Sequence, residues 1–174
     1  MIELIAVIAV LGLLAVTAIT KFISYKEAAE ISQIRHNASV LQQSVNTVKL
    51  LFDIQGYTTR MQNLPNFGDG TIDTNNIGYP IGIDKGNGNE NIGRGTNDCV
   101  GVWAGVFATA PTVSASNNNS DYRSYRHTGS KVCSYAYRKN GDTGNRNSAL
   151  LVIKYDSRDG SVEVCGLHPD LSAC

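Results

Sequence analysis

At 174 residues, 42% of them hydrophobic, the chain has room for one packed core and not for several. Its 15 Lys and Arg balance 15 Asp and Glu, which excludes the overall basic footprint of a nucleic-acid-binding domain. The 17 glycines, with asparagines frequent between Asn63 and Asn119, imply a folded part rich in loops.

The first element is the stretch MIELIAVIAVLGLLAVTAIT, in which Glu3 is the one charged residue. A hydrocarbon core about 30 Å thick takes roughly 20 apolar helical residues to cross, so the segment is long enough to span a bilayer. It has neither the Lys/Arg start nor the A-x-A-like cleavage site of a signal peptide. Beyond it, Ile31, Ile34, Ala38, Leu41, Val45, Val48 and Phe52 recur at steps of three and four, laying one apolar stripe along a helix. No proline or glycine occurs between Lys21 and Ile54. The pattern predicts one helix from near Met1 to about Phe52, apolar all round over residues 1–24 and amphipathic over 25–54. Gly56 is suited to end it in a left-handed cap.

Residues 57–95 carry no sustained periodic run. GYPIG at 78–82 is turn-rich, and DKGNGNENIGRG at 84–95 is too glycine-rich for regular structure, so a long connecting loop is expected. A short helix is predicted over 97–107, capped by Thr96 or Asn97, with Cys99, Val102, Trp103, Val106 and Phe107 on one side. The polar run SASNNNSDYRSYRHTGS separates it from the strands. Lys131 to Arg138 alternates, NGDTGNRN turns, Ala149 to Tyr155 is β-rich, and SRDG joins it to a returning strand over 161–165. Helix first and strands later is an α+β order. A sheet of three or four antiparallel strands over 131–165 should cover the amphipathic helix stripe.

Cys99, Cys133, Cys165 and Cys174 allow three pairings on arithmetic alone. The pairing Cys99–Cys133 with Cys165–Cys174 is preferred, because the second loop is short and ties down a terminus that otherwise frays. Cys165, His168 and Cys174 form a competing zinc set that lacks a fourth ligand. No metal, cofactor or catalytic residue is predicted. His36, His127 and His168 are far apart, and no H-E-x-x-H, G-x-S-x-G or phosphate-loop string occurs. DGTIDTN at 69–75 lacks the spacing of a calcium loop. Trp103 is either a core residue or a sugar-stacking platform, and its apolar neighbours favour the core. Arg123, Arg126, Lys131, Arg138, Lys139 and Arg146 are either a solvated scatter or a site for DNA or an acidic glycan; the scatter is the commoner case. Two N-x-S strings, at Asn37 and Asn118, carry little meaning by themselves.

Glu3 is the sharpest candidate. A carboxylate at the bilayer centre costs about 2.5–3.5 kcal/mol, so an intramembrane acid usually has a partner and a role. Near a helix start it is equally suited to the headgroup level or to the positive end of its own helix.

The string I-E-L-x(6)-L-G-x-L-A at Ile2 to Ala15 resembles the start of mature type IV pilins of the type IVa class, and MIEL…VLGLLAVTA..KF is similar to the mannose-sensitive haemagglutinin (MSHA) type. The loop after the long helix and the string CVGVWAGVFATAPTV resemble that family in place and character. The resemblance implies a pilin fold, a transmembrane stem that becomes the core of a helical filament of identical subunits, and a role for Glu3 in attracting a neighbour's amino terminus during assembly. It implies processing by prepilin peptidase, a methylated phenylalanine and one further residue ahead of Met1, and passage from the inner membrane to an extracellular pilus that serves attachment. Relatives unwind between a glycine like Gly12 and a proline that falls here at Thr20; without the proline, unwinding is expected to be short and confined to the assembled fibre. A minor pilin or a type II secretion pseudopilin is the alternative.

Overall fold

The computed structural model describes residues 2–86, 88–94, 98–116 and 118–174. The chain forms two compact units, Met1–Gln33 and Ile34–Cys174. One helix, α1 (Ile2–Ile54), runs through both and is unbroken at Gly12 and at Thr20. In the first unit every described side chain from Glu3 to Ala29 is exposed.

In the second unit the predicted stripe Ile34, Ala38, Leu41, Val45, Val48 and Phe52 is buried. Ile31, one turn earlier, is buried as well. The end of α1 follows from Gly56, whose φ is +73°. Its amide donates to the Asp53 carbonyl (3.0 Å) and the Tyr57 amide donates to that of Phe52 (3.2 Å), the two bonds of a Schellman cap. The Tyr57 ring lies 5.8 Å from that of Phe52, which supplies the apolar contact such caps carry.

The stretch read as a featureless connecting loop contains a small antiparallel sheet, β1 (Ile72–Thr74) with β2 (Pro80–Ile83). GYPIG, expected as turn, thus supplies a strand. These strands are three and four residues long and almost wholly buried, too short and too evenly buried to leave an alternating pattern. Asp73 fixes the loop around them: its carboxylate accepts from the amides of Asn63 (2.8 Å) and Lys85 (2.6 Å). Gly78 sits against the Phe52 ring, where a Cβ would meet ring carbon at 2.7 Å. Only glycine fits that approach.

The second helix, α2 (Asp98–Val106), occupies the predicted place, and its expected caps Thr96 and Asn97 lie outside the described residues. The main sheet has five strands in sequential order: β3 (Val113–Ser114), β4 (Tyr122–Arg126), β5 (Val132–Tyr137), β6 (Val152–Asp156) and β7 (Val162–Cys165). It is antiparallel except for the two-residue β3, which runs parallel to β4. The expectation of three or four strands starting at 131 missed β3 and β4. Tyr122–Arg126 reads YRSYR, whose polar and basic residues hid a strand that pairs along its whole length with β5.

All six residues of β5 are buried, so both faces of the sheet are covered. On one face Trp103 of α2 is fully buried with ring centroids 4.5 Å from Tyr135, 4.6 Å from Phe107 and 4.9 Å from Tyr122. The Tyr135 hydroxyl donates to the Cys99 carbonyl at 2.8 Å. Burial raises the Tyr135 and Tyr122 hydroxyls well above their usual range, so both stay neutral, Tyr135 as a donor and Tyr122 as the acceptor of a bond from Asn37. On the opposite face Ala136, Ala149, Val152 and Cys165 pack together beside Tyr125. Side chains tie α1 to the sheet: Asn37 donates to the Tyr122 hydroxyl (2.8 Å), and Gln42 both donates to the Gly160 carbonyl (2.9 Å) and accepts from the Val162 amide (2.8 Å).

Cys99 is bonded to Cys133 and Cys165 to Cys174. The first bond lies in the core between α2 and β5, and the second closes a loop at the end of β7 with a sequence separation of 9. On the chain-entropy account a loop of that length stabilises by about 2.7 kcal/mol.

Candidate assembly surface

The most extensive exposed apolar surface among the described residues is that of residues 3–25. Leu4, Ile5, Val7, Ile8, Val10, Leu11, Leu13, Leu14, Val16, Ile19, Phe22 and Ile23 retain 54–73% of their exposure. They fall on every side of the helix, since apolar residues fill nearly every position rather than one stripe in three or four. Among the described residues this is the one helix long and apolar enough to cross a membrane.

Burying such a side chain fully is worth about 1.5–3 kcal/mol, so at this exposure about 1–2 kcal/mol remains per residue. Over the 12 side chains named the total is about 12–24 kcal/mol. Association in water costs on the order of 4–15 kcal/mol, which burial of this surface outweighs over most of that range. Glu3, exposed in the first turn, is the one acidic residue before Glu27. Over residues 3–20 it is the one charged side chain.

The remaining candidates are absorbed by the fold. With all four cysteines in disulfides, Cys165 and Cys174 offer no thiolate to zinc. Among the described residues no group of three His, Cys, Asp or Glu is placed to hold a metal. The carboxylates of 69–75 turn to separate tasks: Asp69 accepts from the Thr71 hydroxyl and amide, and Asp73 from Asn63 and Lys85. Trp103 is a core residue, its Nε1–H spent on the Pro111 carbonyl at 2.9 Å, and is not open to a sugar. Asn37, in one of the two N-x-S strings, is buried against Tyr122, whereas Asn118 is exposed.

The basic scatter is a set of loop fasteners rather than a solvated face. Arg138 donates to the carbonyls of Asp142 (2.8 Å) and Gly144 (2.7 Å) and to the Tyr125 hydroxyl (2.9 Å). Arg146 donates to the Arg126 carbonyl, Lys139 to that of Asn119, and Lys131 to that of Glu90. Arg123 lies over the Tyr125 ring, 4.9 Å from its centre. His36 is exposed, and His127 contacts the Ser134 hydroxyl at 2.7 Å. Burial, then the charges of Arg146 and Lys154, lower the His127 pKa despite the opposing pull of Asp156.

Sequence reasoning overlooked one grouping, in which Lys85, Arg94 and Arg126 line a common hollow. Two of these residues sit in the glycine-rich string read only as loop, and no spacing rule connects them to Arg126. Comparison of the chain with protein-family models, with curated proteins and with solved structures returns no match.

Proposed function

We propose that this protein is a type IV pilin: a structural subunit held in the inner membrane by residues 1–24 and then built into an extracellular filament used for attachment. The observation that carries the reading is the helix α1, apolar on all sides for its first half and buried along one stripe in its second. An anchor alone accounts for the apolar half, but a transmembrane helix that continues directly into the core of a disulfide-bonded head favours a subunit that changes surroundings. In the membrane, lipid covers the 12 exposed side chains; in a filament, neighbouring stems do so.

Glu3 acts in this scheme as the register mark. Apolar packing is indifferent to sliding, whereas a carboxylate in a low-dielectric stem bundle is stable only beside a positive group. The amino terminus of an incoming subunit is such a group, and its pairing with Glu3 fixes the axial position of each subunit. The paired cysteines and glycine-rich loops suit a head exposed to an oxidising exterior.

Shearing cells and identifying the protein of the filament fraction tests the proposal. This chain as the dominant species supports a major pilin. Its presence only as a trace, with the bulk left in the membrane, would instead identify a minor pilin or pseudopilin.

A further inference from the structure

Two lysines mark where the apolar part of α1 ends. Lys21 is the first charged residue after Glu3, and Lys26 stands further along the same helix. Between them are Phe22 and Tyr25, both strongly exposed, at 73% and 68%. At about 100° per residue, Lys21, Tyr25, Phe22 and Lys26 fall within a sector of roughly 140° on one flank of the helix. Lys21 and Tyr25 are separated by one turn, so their side chains are neighbours on the helix surface. The acids of this stretch take the other flank, Glu30 and Glu27 projecting roughly 180° and 240° round from Lys21.

Depth separates the charges as well. At a rise of about 1.5 Å per residue, Glu27 and Glu30 lie about 9 and 14 Å further along the axis than Lys21. Salt screens charges over about 8 Å at physiological ionic strength, so neither acid cancels Lys21. Glu30 stands 3.8 Å from Lys26 and offsets that charge, whereas among the described residues no ion pair engages Lys21. About 20 helical residues cross a hydrocarbon core, which puts Lys21 and Tyr25 at headgroup level when the segment before them is in the bilayer. A tyrosine there buries its ring and keeps its hydroxyl in the polar layer, and a lysine extends its ammonium to the same layer. Every phospholipid offers a phosphate, but a zwitterionic headgroup carries its own ammonium, which competes with Lys21 for it. An anionic headgroup has no such competitor.

We propose that this flank of α1 binds the headgroup of an anionic phospholipid, its phosphate held by Lys21 and the Tyr25 hydroxyl, with Phe22 against the acyl chains. This selection rests on residues 1–24 being a membrane stem, as proposed above, and names the lipid that the stem prefers.

Spin-label resonance on the full chain in phosphatidylcholine vesicles tests this, with a trace of acyl-labelled phosphatidylglycerol or phosphatidylcholine as the probe. The chain should restrict the labelled phosphatidylglycerol about fivefold more strongly, the preference that one lysine confers at an anionic headgroup. High salt and Lys21→Gln should each bring the preference below about twofold. Lys21→Arg should keep it, and Lys139→Gln, in the head, should leave it unchanged. Flotation of the same vesicles reports insertion separately. A chain that stays at the bottom of the gradient would overturn the membrane stem and this site with it, whereas insertion with equal restriction of both lipids would overturn the site alone. So would a Lys21→Gln chain that keeps the lipid preference but self-associates less, because the flank would then face a second copy.

Discussion

Replacing Trp103 tests whether the head is organised around it. The side chain is fully buried, touches three aromatic rings at 4.5–4.9 Å and donates its indole N–H to the Pro111 carbonyl. Trp103→Ala removes those contacts and leaves a cavity between α2 and the sheet, a change that costs about 3–5 kcal/mol in packed cores. Trp103→Phe keeps a ring but loses the donor and part of the volume, for a cost of about 1–2 kcal/mol. For a domain of this size each kcal/mol shifts the melting temperature by about 2–4 °C. The alanine variant should therefore melt about 6–20 °C lower and the phenylalanine variant about 2–8 °C lower. Near-ultraviolet circular dichroism of the full chain in detergent follows the transition, with the far-ultraviolet signal as a check on secondary structure. A loss below about 1 kcal/mol for Trp103→Ala would refute the reasoning, because a residue so enclosed cannot be removed cheaply from a close-packed interior.

Glu3→Ala should insert in the membrane at least as well as the parent, the substitution making the segment more apolar, yet yield few or no filaments in the sheared fraction. Filament yield equal to the parent's would leave Glu3 without a role in register. His127 makes stability depend on pH in a defined window. Its folded pKa lies below the usual 6.5, so below about pH 6.5 the unfolded chain takes up a proton that the folded imidazole refuses. Melting temperature should fall as pH drops through that value, and His127→Gln should flatten the slope just below about pH 6.5. For Asp121 and Asp156, burial opposes the charged form. Hydrogen bonds from Thr112 and Arg158, with nearby lysine charge, outweigh it and hold both carboxyls below the usual 3.8. Their contribution is lost only as pH falls through that lower range, so the two windows separate. An unchanged slope in His127→Gln would assign the pH dependence elsewhere.

The parts of the fold legible in the sequence are those that repeat or punctuate. The stripe from Ile31 to Phe52 was readable because seven apolar positions share one period, and the end of α1 because Gly56 alone suits a left-handed cap. The hairpin of β6 and β7 was announced by SRDG between two β-rich runs. What escaped has equally physical reasons. β1 and β2 are buried on both sides, so no alternation marks them, and β4 carries Arg126, whose charged end reaches the Ile92 carbonyl of a distant loop. Those reaches, such as Arg126 to Ile92, depend on tertiary placement that no local pattern encodes. For the same reason the hollow beside Lys85 was invisible, whereas the apolar surface and Glu3 could be read at once from the first 20 residues.

The central claim is that residues 1–24 drive assembly, and removing them addresses it most directly. The chain reduced to residues 25–174 should be soluble without detergent and sediment as a folded monomer, while the full chain recovered from cells sediments as filaments visible by electron microscopy. Filaments formed by the shortened chain would contradict the account, because the surface held to drive their formation would be absent from them.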